Sequence, residues 1–137
     1  MNIVIDTNIL ISAIIKDGVT REIIVNSGNN FIIPEFELYE IYKYKEEIMQ
    51  KAGLSKKEFN ILLLRLLRYI RIIPTDLILD KKNEAENIIG HIDKDDVQFI
   101  ATALVFNAIV WSDDEHFQRQ KKIKALKTSD IINLFSK

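Results

Sequence analysis

The chain has 137 residues, 47% of them hydrophobic and 28% charged, long enough to bury the core of one domain without staples and too apolar to be a disordered tail. It contains no cysteine, which excludes disulfides, zinc–thiolate sites and cysteine nucleophiles and suits a reducing cytoplasm. The net charge of −1 hides a segregation, with −4 over residues 1–40, +5 over 41–72, −7 over 73–117 and +5 over 118–137. Such blocks suit an enzyme whose acids gather metal ions while its basic segments hold phosphates, although any single block also reads as a solvated helix face.

Ile3-Val4-Ile5 is an apolar run too short for a helix and typical of a strand covered on both faces in a parallel sheet. Asp6-Thr7-Asn8 follows, three capping residue types in a row, and Ile9, Leu10, Ala13 and Ile14 then recur at helical spacing. The junction falls at Asp6. In open α/β sheets the carboxyl ends of the strands form the ligand crevice, so an acid there is either a helix cap or a functional group. Thr20 opens a short second helix, Ser27-Gly28-Asn29-Asn30 is a loop, and Phe31-Ile32-Ile33-Pro34 is a second strand with its proline at the end.

The spacing predicts one helix from Glu35 to about Gln50. Glu35 and Glu37 suit its first turn through the helix dipole, while Glu40 lies deeper and shares a face with Glu37, so either Glu37 or Glu40 could face the crevice. Gly53 breaks the helix, and Ser55-Lys56-Lys57-Glu58 opens the next as a capping box, running to about Tyr69 with Leu62, Leu63, Leu64, Leu66 and Leu67 around much of its circumference. Those leucines suit a buried helix or a partner surface. Ile70 to Ile73 is a third strand, ended by Pro74, and Asp80 to Ile89 is a predicted helix, stopped at Gly90. His91 lies in the loop beyond and receives no role.

Asp93 caps an amphipathic helix through about Phe106, with Asp96 on the same side as Asp93 and small Ala101 and Ala103 permitting close packing. Asn107 ends it. Ala108-Ile109-Val110-Trp111 is a fourth strand that delivers Ser112-Asp113-Asp114 to the position Asp6 holds on the first. Glu115, His116 and Phe117 form a short turn or helix, a short fifth strand is expected near Ile123 to Leu126, and Thr128 or Ser129 caps a last helix. No run approaches the roughly 18 apolar residues of a membrane span and the chain opens on a core strand, so an intracellular, soluble protein without membrane association is expected.

Four segments thus send Asp6, Glu40, Asp96 and Asp114 toward one end of a parallel sheet. Clustered carboxylates repel unless protons or cations neutralise them, and hard divalent ions do so with oxygen ligands. Phosphodiester hydrolysis is the chemistry such a cluster supports. Lys43, Lys45, Arg65, Arg68, Arg119, Lys121 and Lys122 are candidates for contacts to a substrate backbone. Competing readings are a metal- or RNA-binding module without activity, an aspartate-nucleophile phosphatase or phospho-acceptor domain, and acids that serve only as caps. Asn8 removes the second acid of the phosphatase pattern, and no glycine-rich turn marks a dinucleotide fold.

The opening Ile3 to Leu10, the segment Pro34 to Ile41 with Glu40, Asp93-Lys94-Asp95-Asp96 leading into Phe99 to Leu104, Val110 to Asp114, and Thr128-Ser129-Asp130 together resemble, in order and spacing, the PIN-domain family. The resemblance implies a single α/β domain over residues 1–137, a central parallel sheet of four or five strands flanked by helices, and an acidic nuclease site using Mg2+ or Mn2+. It matches Asp6, Glu40, Asp96 and Asp114 to the family's four acids, Asn8 to the polar residue beside the first, and Ser112 to a residue that positions the last. Asp93 and Asp113 are nearby acids that could join through water. Small stand-alone members resemble the ribonuclease toxins of VapBC-type toxin–antitoxin pairs, which implies an RNA substrate, an antitoxin partner and a homodimer, with Ile61 to Leu67 as the candidate partner surface.

Overall fold

β1 (Asn2–Ile5) forms where the sequence places its first apolar run, and Ile3, Val4 and Ile5 are wholly buried. The computed structural model describes residues 1–136. The pleat sends alternate side chains to opposite faces, so Ile3 and Ile5 enter one hydrophobic core and Val4 the other. Burial of this kind contributes roughly 1.5–3 kcal/mol per large aliphatic side chain, and β1 supplies it on both sides.

From β1 the chain runs through α1 (Thr7–Ile15) and α2 (Val19–Asn26) to β2 (Asn30–Pro34), then α3 (Phe36–Lys43), α4 (Lys45–Ala52) and α5 (Lys56–Leu67) to β3 (Ile70–Ile73). A four-residue α6 (Lys82–Ala85) precedes α7 (Val97–Phe106), β4 (Ile109–Trp111), α8 (Glu115–Gln118), β5 (Ala125–Leu126) and α9 (Thr128–Phe135). The five strands pair in parallel in the order β3-β2-β1-β4-β5. This is a single α/β domain with a five-stranded central sheet. The strand order reverses between β1 and β4, and a crevice opens outside the carboxyl ends of strands at such a switch point. Asp6 follows β1 and Ser112-Asp113-Asp114 follows β4, so the switch point is where the acids stand.

One core layer joins Ile3, Ile5, Phe31, Ile33 and Trp111 to α1, α5 and neighbouring helices, and the other joins Val4, Ile32 and Val110 to α7. Ala101 and Ala103 are buried against the sheet, as their size requires. Asn107 ends α7 in the left-handed region at φ 50, where asparagine is tolerated better than most side chains. No helix among the described residues is long and apolar enough to cross a membrane.

Three predicted elements differ. The helix expected from Glu35 to Gln50 is two helices, broken at Tyr44 (φ −100, ψ 14), with neither glycine nor proline to announce the break. The helix expected over Asp80 to Ile89 is assembled from 3-10 turns at Thr75–Leu77 and Leu79–Lys81, α6, and a π turn at Glu86–Gly90. Ile78, Ala85 and Ile89 nonetheless keep the one-face spacing of a helix and all reach the core beneath α7. The carbonyl of Ile89 accepts from the N–H groups of both Ile92 (2.9 Å) and Asp93 (2.8 Å), which begins the turn that presents Asp93. The fifth strand is confined to Ala125–Leu126.

Candidate active site

Asp6 carries two loads with its two oxygens. Oδ1 accepts from Ile9 N–H at 2.9 Å, capping α1, while Oδ2 accepts a hydrogen bond from the Ser112 hydroxyl. Ser112 Oγ in turn accepts from Asp114 N–H at 3.0 Å, so this wholly buried serine ties the end of β1 to the residue three places beyond β4. Asp114 caps α8, its Oδ1 accepting from His116 N–H at 2.9 Å. Asp93 caps the 3-10 turn Lys94–Asp96 through Asp95 N–H at 2.8 Å. The turn then delivers Asp96 to the head of α7, where it is 8% exposed. Capping and clustering therefore coexist in the same carboxylates.

From the opposite wall, Glu40 on α3 accepts from the Thr7 hydroxyl at 2.8 Å. Asp6, Asn8, Glu40, Asp93, Asp96 and Asp114 all line one open cleft of about 390 Å3. Between Glu37 and Glu40 the structure decides the position of each: Glu40 faces the cleft, while Glu37 lies beneath it, wholly buried, with neither carboxyl oxygen hydrogen-bonded. Glu37 does stand in the first turn of α3, as expected, and that helix turns its side chain into the core. Glu35 serves the scaffold, its Oε1 accepting from Thr75 N–H at 3.0 Å.

The electrostatics of the cleft are strained toward neutralisation. Burial pushes the Asp6 carboxyl up from 3.8 to about 6, with Ser112 and the Ile9 N–H holding it down and the Asp114 and Asp113 charges adding to the rise. Burial, then the charges of Asp93 and Asp114, push Asp96 from 3.8 to about 7 against the opposing effect of His116. Glu37 is raised well above its ordinary range by burial, then by the Asp6 and Glu40 charges. Asp96 Oδ2 is buried without a hydrogen-bond partner. Hard oxygen donors that repel one another and leave a buried lone pair unused fit a hard divalent cation.

The remaining sequence candidates divide. Asp113 points away from the cleft: its Oδ1 and Oδ2 accept from the N–H and hydroxyl of Thr128 at 2.7 and 2.8 Å, fixing the start of α9, and the Thr128 hydroxyl accepts from Trp111 Nε1 at 2.9 Å. None of the seven candidate basic residues lines the cleft; among the described residues its cation is Lys51, on α4, 3.4 Å from Glu47. Arg65 and Arg68 lie at the end of α5 that leads into β3, the amino edge of the sheet and hence opposite the acids. Lys43 and Lys45 flank the Tyr44 break, and Arg119, Lys121 and Lys122 are exposed in the loop between α8 and β5. That loop is shaped by Gln120, which donates to the carbonyls of Phe117 and Ile123 at 2.8 and 2.7 Å. His116 is the residue that sequence reasoning missed. Its Nδ1 stands 2.8 Å from Asp93 Oδ2, 3.2 Å from Asp114 Oδ1 and 3.4 Å from Asp96 Oδ2.

A family model described as the PIN domain matches residues 4–131, from β1 into α9 and across every acid of the cleft. The chain belongs to the PIN-domain family. No curated protein sequence matches it. Among solved structures, a chain of VapBC2 from Rickettsia felis bound to a promoter DNA fragment is 20% identical, with a TM-score of 0.69 over 93% of this chain and 98% of that one. A chain of VapBC-1 from nontypeable Haemophilus influenzae is 17% identical, with a TM-score of 0.65 over the same shares. At these identities the likeness is one of fold, and it extends the PIN architecture over nearly the full length of each chain.

Proposed function

We propose that this PIN domain is a divalent-metal-dependent endoribonuclease, hydrolysing RNA phosphodiester bonds in the cytoplasm as the toxin of a type II toxin–antitoxin pair. The observation that carries the reading is the convergence of Asp6, Glu40, Asp96 and Asp114 on one cleft, with burial driving Asp6 and Asp96 toward neutrality and leaving Asp96 Oδ2 unpaired. These four would hold one or two Mg2+ or Mn2+ ions. When bound, such an ion lowers the pKa of an attacking water and offsets charge on a phosphate undergoing displacement.

The chain's own residues account for the rest. Ser112 keeps Asp6 and the backbone of Asp114 in fixed register, and Thr7 orients Glu40 across the cleft. Asn8 is exposed in the cleft lining, and its amide would donate to a substrate phosphate or sugar. Lys51 lines the same cleft, and Lys43, Lys45, Arg119, Lys121 and Lys122 are retained as outlying backbone contacts; Arg65 and Arg68, at the far edge of the sheet, are not.

For partners, the similar structures belong to VapBC complexes, which supports an antitoxin here. The α5 surface also supports a protein contact, homodimeric or with the antitoxin: Phe59, Leu63 and Leu66 fill the core, but Leu64 is 63% and Ile61 41% exposed. A panel of labelled single-stranded RNA, structured RNA and DNA tests the reading, incubated with antitoxin-free protein in Mn2+, Mg2+ or EDTA. RNA cleavage that stops in EDTA is the expected result. A folded, metal-loaded protein that cuts DNA in preference to RNA, or nothing at all, would contradict it.

A further inference from the structure

Within the acidic cleft one donor is a nitrogen, and its surroundings resemble a coordination shell more than an ion pair. His116 Nδ1 lies 2.8, 3.2 and 3.4 Å from oxygens of Asp93, Asp114 and Asp96. Donor atoms gathered this closely from three side chains are within reach of a single shared cation. A protonated ring engaged in an ion pair would aim its N–H at one of the three oxygens. Here Nδ1 is buried and has hydrogen-bond geometry with none of them. Asp96 Oδ2 is likewise unpartnered, on a residue more than nine-tenths buried that lines the cleft. One potential ligand atom from each of Asp93, Asp96 and His116 fits within 4.8 Å of the others.

The ring is held there by structure on both sides. Asp114 caps the turn that carries it, through His116 N–H, and the next residue, Phe117, is buried edge-on against Phe99 of α7, with ring centroids 6.1 Å apart. Since Asp93 and Asp96 lead into α7, the two halves of the shell are locked to one helix.

We propose that His116 is a direct metal ligand, its Nδ1 joining carboxylate oxygens of Asp93 and Asp96 around one divalent ion and biasing the site toward manganese over magnesium. Neutral imidazole is a good donor to first-row transition ions and a poor one to Mg2+, which prefers oxygen, so a single nitrogen shifts selectivity without altering net ligand charge. Asp93 then acts as a ligand itself instead of through water. The inference rests on reading the cleft as a divalent-cation site.

The chain has two histidines, His91 and His116, which makes the test specific. Tag-free protein carrying 15N-histidine is loaded with Mn2+ and its electron spin echo modulation recorded. The expected signal is coupling to one 15N nucleus, kept in His91→Gln and lost in His116→Gln. Titration calorimetry on the same folded variants should show Mn2+ affinity falling about 10- to 100-fold in His116→Gln, against a change of less than about threefold for Mg2+. Tight Mn2+ binding with no nitrogen coupling in the wild type overturns the histidine ligand and leaves the nuclease reading standing. Failure of the wild type to bind Mn2+ or Mg2+ overturns both.

Discussion

Replacing Asp6 by asparagine should make the metal-free protein more stable, and the structure gives the size and pH dependence of the gain. The Asp6 carboxyl rises from 3.8 unfolded to about 6 in the fold, so folding opposes its ionisation. At 1.36 kcal/mol per pK unit, ionised Asp6 costs the folded state roughly 3 kcal/mol relative to a carboxyl of ordinary pKa. The sign follows from which state holds the proton. Between the two pKa values the native protein binds more protons than the unfolded chain, so stability is highest below 3.8, falls as pH rises, and has lost this contribution above about 6. Asparagine keeps an acceptor for Ile9 N–H and the volume of the side chain but cannot ionise. At pH 8 in EDTA, Asp6→Asn should therefore gain up to about 3 kcal/mol, less whatever the altered Ser112 hydrogen bond loses. At pH 5 the wild type recovers about 1.4 kcal/mol by protonation, so the advantage should shrink by that amount. Urea denaturation at the two pH values measures both numbers. A mutant less stable than the wild type at pH 8, or an advantage that grows toward pH 5, would mean that ionised Asp6 does not destabilise the fold.

Glu37→Leu should raise stability by about 1–3 kcal/mol, because it replaces a wholly buried carboxyl with two unpartnered oxygens by an aliphatic side chain of similar size; a loss of stability in the same denaturation assay would mean that Glu37 has a partner. Asp113→Ala should cost about 1 kcal/mol through the freed Thr128 N–H and hydroxyl, while Mn2+ affinity by calorimetry stays within about threefold. A large loss of metal affinity in that variant would return Asp113 to the site. Mn2+ added in 100-fold excess over its dissociation constant should stabilise the wild type by about 2.7 kcal/mol and Asp96→Asn far less, read as a shift in melting temperature. Equal shifts would place the ion elsewhere.

The parts of the site carried by strand ends were legible in the sequence. Asp6 and Asp114 each follow a short apolar run, and parallel strands with helical crossovers deliver such residues to one edge whatever the detail of packing. Asp96 was legible as an acid at the head of an amphipathic helix. The choice between Glu37 and Glu40 lay in the phase of α3: Glu37 and Ile41, four apart, share its buried face, while Glu40 stands with Tyr44 on the cleft side. The break at Tyr44 left no mark, since each half has its own hydrophobic anchor and no residue of breaking type separates them. His116 was missed because its partners Asp93 and Asp96 are distant in sequence, and the Asp114 cap and the packing of Phe117 against Phe99 bring them together only in the fold. The one local hint was Asp114-x-His116, two ligand types bracketing a helix start. Asp113 read as a site acid because it adjoins Asp114, yet successive residues leaving a strand point to opposite sides, and that alternation sends it to Thr128.

The most direct test of the account titrates Mn2+ into metal-stripped protein while calorimetry follows occupancy and cleavage of a labelled RNA follows activity. Cleavage should appear in step with occupancy, vanish in EDTA, and fall about 100-fold or more in Asp6→Asn, a variant that is at least as stable as the wild type. Cleavage that persists in EDTA, or that Asp6→Asn performs at the wild-type rate, would contradict the claim that these carboxylates and their ion carry the reaction.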